Sequence, residues 1–136
     1  AIALFEKAAP LAFGPSSPNG VPTSWASEPG LHNILAKESR GFVGIPNYTY
    51  RDRATQESEW NGVLDELREG QITATSSATG LGQLLLRNVE KYYPSGRLGL
   101  GVPVEEAAGM LAYIADRYGT PENAWNSYGK MGHEGY

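Results

Sequence analysis

The stretch PVEEAAGMLAYIADRYG, residues 103–119, decides the fold class. Pro103 suits the first turn of a helix, where a missing N–H is no loss, and Gly119 stands where helices commonly stop in a left-handed residue. Between them Val104, Ala107, Ala108, Leu111, Ile114, Ala115 and Tyr118 recur at helical spacing and build one face. Ala108, Gly109 and Ala112 add a narrow surface that lets another helix pack closely. A helix this apolar needs neighbours to cover it.

Reading outward, the neighbours are found on both sides. Thr120-Pro121-Glu122 opens a short helix, with Thr120 placed to cap it, Pro121 in the first position, and Ala124, Trp125 and Tyr128 facing inward. Upstream, residues 81–92 predict a helix whose stripe is Leu81, Leu84, Leu85 and Val89 and which Pro94 stops. Residues 58–69 predict another, with Ser58 as cap, Trp60, Val63, Leu64 and Leu67 on one face, and Gly70 at its end. The small, hydroxylated residues 73–78 fit strand or loop equally. Over residues 31–39, Leu31, Ile34, Leu35 and Glu38 share one helical face, with Gly41 as the stop. Residues 10–30 contain Pro10, Pro15, Pro18, Pro22 and Pro29, which reads as an ordered arm behind a short helix over residues 1–9. The expectation is an α+β chain, predominantly α-helical, with a small hairpin from residues 43–79. It divides into an N-terminal helix and arm, 1–30, and a body, 31–136, with no internal repeat.

Composition narrows the function classes. The 136 residues are 40% hydrophobic and 19% charged, which fits one folded domain and not a disordered chain. A net charge of -4 without any Lys/Arg cluster argues against nucleic acid as a partner. There is no cysteine, so disulfides, Cys-based zinc sites and thiol nucleophiles are ruled out. No apolar run is long enough to span a membrane, and residues 1–7 lack the pattern of a signal peptide. The chain starts at Ala1 without an initiator Met, which fits a piece of a longer or processed protein whose location the parent sets. His32 and His133 are the only histidines, and His133-Glu134 lacks the spacing of a helical zinc motif, so neither metal nor cofactor is implied. Nothing resembles the nucleophile elbow of a serine hydrolase.

Glu38 stands out. It ends an apolar helical stripe, where burial and the negative end of the helix dipole both disfavour its ionised form. A carboxyl that stays protonated near neutrality is what glycosidic cleavage needs, because the leaving oxygen must receive a proton. The same pattern fits a buried structural glutamate equally well.

Four segments in order add to this: Lys37-Glu38-Ser39, Ala78-Thr79-Gly80-Leu81-Gly82-Gln83, Gly109-Met110-Leu111-Ala112-Tyr113-Ile114 and Ala124-Trp125-Asn126. Together they resemble the motifs of the soluble lytic transglycosylases, a lysozyme-like family, over about two thirds of the chain. The closing residues are most similar to such domains within bacteriophage tail and virion proteins. The resemblance implies a lysozyme-like domain that acts on bacterial peptidoglycan, with Glu38 as the catalytic acid and base. It implies substrate-binding roles for Ser39, which would bond glycan or the glutamate, for Gln83, beside the substrate's N-acetyl groups, and for Gly80, Leu81, Tyr113, Trp125 and Asn126. It also implies a location in the virion or in the extracellular or periplasmic wall space. Two positions depart from the family pattern. Trp125 replaces a tyrosine whose hydroxyl contacts the glutamate, a hydroxyl that Tyr136 could supply instead, and Gly82 replaces a methionine.

The implied reaction is cleavage between N-acetylmuramic acid and N-acetylglucosamine with closure of a 1,6-anhydro ring. The alternatives are a goose-type lysozyme, which would draw a second carboxylate from Asp52, Glu57, Glu59 or Asp65, and a silent glycan-binding module of a virion protein. Those acidic residues also fit a solvated helix face. Tyr48, Tyr50, Arg51 and Trp60 are further candidates for sugar contacts, since flat rings and planar donors suit sugars.

Overall fold

The structure, a computed structural model, describes residues 1–128, and among these it is almost entirely helices and loops. The helices are α1 (Ile2–Ala8), α2 (Pro29–Glu38), α3 (Trp60–Arg68), α4 (Leu86–Tyr92), α5 (Pro103–Tyr118) and α6 (Pro121–Ser127). The helical part of the sequence reading holds, whereas the hairpin does not form. Pairing in that region shrinks to isolated bridges, Pro46 with Thr79 and Thr79 with Leu84. The loops there are tied by a side chain instead of a ladder: Asn47 Nδ2 donates to the carbonyls of Ser76 and Ala78, and its Oδ1 accepts from the Thr49 N–H.

Helix α5 is the centre. Every residue from Glu106 to Ala115 is buried, so its apolar and small side chains are covered on all sides, by α1, α4 and α6. Phe5, Ala8, Ala9 and Ala12 are completely buried in the same core, which joins residues 1–30 to the body. Two short 3₁₀ turns, Ala9–Leu11 and Thr23–Ser27, carry the proline-rich arm across the surface.

Three helix starts differ from the sequence expectation, two of them because backbone donors find other partners. Helix α4 begins at Leu86, since the Leu81 N–H donates to Glu106 and Gln83 takes a left-handed conformation with φ of 49°. Helix α3 begins at Trp60 behind a 3₁₀ turn, and the carboxylate of Glu59, not Ser58, accepts the N–H groups of Thr55 and Gln56. Helix α2 begins early, at Pro29. Helix α6 forms as read, with Thr120 Oγ1 accepting the Asn123 N–H at 3.1 Å.

One close approach sets up the site. A Cβ on Gly30, in the first turn of α2, would stand 2.6 Å from the carbonyl oxygen of Pro121, which opens α6. At their other ends the same helices meet again, through Glu38 and Tyr128. The two helices therefore run side by side in the same direction, and glycine at position 30 is what lets them touch.

Gly30→Ala should accordingly lower stability by roughly 1 to 3 kcal/mol through overpacking. Gly62→Ala on α3, where a new Cβ meets nothing within 4 Å, should raise it by roughly 0.5 to 1 kcal/mol. Urea unfolding checks both, and equal midpoints for the two variants would contradict the contact between α2 and α6.

Candidate active site

Glu38 is the last residue of α2, and the chain beyond it turns away at once. Arg40 and Gly41 both have positive φ, 56° and 83°. The Ser39 hydroxyl is buried and used up locally, donating to the Leu35 carbonyl and accepting the Gly41 N–H at 3.1 Å. Ser39 therefore closes the helix end, and its hydroxyl bonds there and not to Glu38.

Glu38 is half-buried at the edge of an open cleft of about 1490 Å³. Burial pushes its carboxyl up to about 7, and the Tyr128 hydroxyl, donating to it, holds back part of the rise. Tyr128 in turn is shifted upward, by burial first and then by the neighbouring Glu38 charge. The cleft is larger than the roughly 300–1,000 Å³ typical of a small-molecule pocket. Its walls come from the end of α2, the loops 45–48 and 72–78, the segment 83–88 and the α5 residues Tyr113 and Arg117.

The back wall is fixed by Glu106 on α5, whose side chain has no solvent exposure. Its Oε1 accepts the N–H groups of Gly44 at 2.9 Å and Leu81 at 3.0 Å, and its Oε2 accepts that of Gly101 at 2.8 Å. Burial pushes this carboxyl above the ordinary range, and the three N–H bonds restrain the rise. Gly80 has φ of 78°, and a Cβ there would stand 2.6 Å from Glu106 Oε1, so only glycine fits. Gly80 and Leu81 are thus buried behind the cleft and do not line it. Gln83 does line it. Its Nε2 donates to the carbonyls of Ile45 at 2.9 Å and Gly80 at 3.0 Å, while its Oε1 accepts nothing from the described residues.

The remaining candidates separate. Tyr113 lines the cleft, packed edge-on against Tyr92 and Tyr118. Trp125 does not line it: its ring stacks beside Tyr128, with centroids 5.4 Å apart, and borders a separate cavity of about 280 Å³ with Glu28, Asn33 and Glu122. Asn126 is exposed and also outside the cleft lining. Tyr136 and His133 lie outside the described residues. The phenol that bonds Glu38 belongs to Tyr128, three residues after Trp125. Tyr48 lines the cleft and is exposed, Tyr50 is buried in the core, Trp60 packs edge-on to Phe42, and the Arg51 guanidinium lies 5.9 Å from the Tyr48 ring.

Glu38 is the only carboxylate among the described cleft residues. Asp52 and Glu57 are exposed elsewhere, Glu59 caps its turn, and Asp65 pairs with Arg68 at 2.8 Å. His32 contacts the Ala26 carbonyl at 2.7 Å. Among the described residues no group of side chains is arranged to hold a metal, and no helix is long and apolar enough to cross a membrane.

No known protein family, no curated protein and no solved structure matches the chain.

Two outcomes follow from the surroundings of Glu38. Tyr128→Phe removes a donor to the ionised carboxylate, so the Glu38 pKa should rise above its present value of about 7, which a carbon-13 NMR titration would detect. A fall would contradict the bond. For stability, a carboxyl raised in the folded state contributes fully below its unfolded pKa of about 4.3, a contribution lost as pH rises toward the folded value. Wild type should therefore lose stability relative to Glu38→Gln between about pH 4.3 and pH 7. A difference that stays flat over that window would mean Glu38 is not raised.

Proposed function

We propose that this protein is a peptidoglycan lytic transglycosylase, with Glu38 serving first as acid and then as base. The observation that carries the reading is the solitary cleft carboxyl of Glu38, pushed up to about 7 by burial and bonded to the Tyr128 hydroxyl. Such a group is protonated often enough to donate and ionises readily enough to accept. The likeness of four ordered segments to the soluble lytic transglycosylases supplies the reaction class.

In the proposed reaction, protonated Glu38 gives its proton to the bridging oxygen as the bond from muramic C1 to that oxygen breaks. The Glu38 carboxylate then takes the proton of the muramic C6 hydroxyl, whose oxygen bonds to C1 and closes a 1,6-anhydro ring. Protons balance, and no water or cofactor is consumed. The C6 hydroxyl is held near C1 by the sugar itself, and this proximity replaces much of the entropy cost of capturing a free nucleophile. Gln83 Oε1 is a suitable acceptor for an N-acetyl N–H, and exposed Tyr48 offers a ring face to a sugar. An inverting hydrolase needs a second carboxylate roughly 6.5 to 9.5 Å from the first, and none of the described cleft residues provides it. The proposed setting is the bacterial wall or a virion that meets it.

Glu38→Gln keeps shape and removes the transferable proton, so clearance of cell-wall suspensions should fall to under about one per cent of wild type, since removing acid and base catalysis costs at least roughly a hundredfold. In wild type the rate should decline as pH rises through about 7, where Glu38 loses its proton. Turbidity clearance by the Gln variant near the wild-type rate would remove Glu38 from this role.

A further inference from the structure

We infer that the cleft is built for a strand with negative side groups, whose carboxylates are held by Lys37, Arg40, Arg87 and Arg117; this rests on the peptidoglycan reading and narrows it. The whole chain has 11 Lys and Arg against 15 Asp and Glu. The cleft reverses that balance, with these four cations and Glu38 as the one described carboxylate. They arrive from three elements: Lys37 and Arg40 at the end of α2, Arg87 on α4 and Arg117 on α5. All four are exposed.

Outside the cleft lining three arginines are ion-paired, Arg53 with Glu66, Arg68 with Asp65 and Arg97 with Glu90, while Arg51 lies against the Tyr48 ring. None of the cleft cations is within ion-pair distance of a described carboxylate. Two are oriented by rings instead: the Arg40 guanidinium lies 5.3 Å from the Phe42 ring, and that of Arg117 lies 5.8 Å from both Tyr113 and Tyr118. The Arg117 guanidinium also hydrogen-bonds to the side chains of Tyr113 and Tyr118, and since a guanidinium carries five N–H donors, others remain for a planar carboxylate. Because the remaining surface is net negative, an anionic strand is drawn to the cleft and repelled elsewhere.

Muramic acid carries a lactyl ether that ends either in a free carboxylate or in a peptide with carboxylates of its own, whereas a polymer of N-acetylglucosamine alone is neutral. The shared chemistry is a carboxylate on alternate sugars. The test uses the full chain with Glu38→Gln, so that binding is read without turnover. Solubilised wall fragments with peptide, the same fragments stripped to the lactyl carboxylate, and neutral N-acetylglucosamine oligomers of equal length are titrated in low and high salt. Both carboxylate-bearing fragments should bind tighter than the neutral oligomer, by a margin that shrinks with salt. Tighter binding of the peptide-bearing form assigns the cations to the peptide, and equal binding assigns them to the lactyl group. Adding Lys37→Gln and Arg87→Gln should weaken the carboxylate-bearing fragments roughly three- to tenfold, the effect of losing two exposed ion pairs, and leave the neutral oligomer unchanged. Equal, salt-independent binding of all three fragments would overturn this inference alone. Failure to bind any of them would overturn the peptidoglycan reading with it. Binding a single-stranded oligonucleotide as tightly as the fragments would assign the cations to a different polyanion.

Discussion

A carboxylate without solvent exposure must be satisfied inside the protein or it destabilises the fold by several kcal/mol. Glu106 meets that demand with three backbone N–H groups from three separate loops, at Gly44, Leu81 and Gly101. The central helix α5 thereby dictates where those loops run. The Gly44 loop leads directly to Ile45 and Tyr48 in the cleft wall, and the Leu81 turn leads to Gln83. Gly80 is confined to glycine because the same carboxylate fills the space where a side chain would go. With almost no strand pairing to order this half of the molecule, one buried acid performs the task that a sheet performs in other domains.

The opposite wall depends on helix packing. Helices α2 and α6 touch at Gly30 and Pro121, run in the same direction, and so bring Glu38 and Tyr128 together at their far ends. Burial there raises the Glu38 carboxyl and the phenol moderates the rise. The phenol is not local to the sequence around Glu38. The acid is tuned by a helix that starts more than eighty residues later. Opposed influences on one carboxyl give it a pKa near neutrality, the value suited to a group that must both give and take a proton.

Legibility in the sequence followed the range of the forces involved. Helices α5 and α6 could be read because Pro103, Gly119, Thr120 and Pro121 fix their ends through backbone geometry within a few residues. Glu38 could be singled out because its burial follows from helical spacing with Leu31, Ile34 and Leu35. The start of α4 was not readable, since the donor that would have opened a helix at Leu81 is taken by Glu106, twenty-five residues away. Glu106 itself sits beside the apolar stripe of α5, and its immersion depends on loops from distant parts of the chain. Tyr128 was recognisable as inward-facing, but with Trp125 at the family's tyrosine position the sequence points to Tyr136 for the hydroxyl, because the family pattern weights a position and not the turn of helix after it. The four cleft cations form no cluster along the chain and converge only when α2, α4 and α5 pack.

The central claim is that one carboxyl performs both proton transfers while the sugar's own hydroxyl attacks. The ends created during digestion of purified peptidoglycan in heavy-oxygen water test it most directly. A transglycosylase leaves 1,6-anhydromuramic ends about 18 Da lighter than hydrolysed ones, since no water is added, and they resist borohydride and contain no solvent oxygen. Reducible ends that carry solvent oxygen would mean that water attacks, that a second base outside the described cleft residues activates it, and that the solitary role given to Glu38 is wrong.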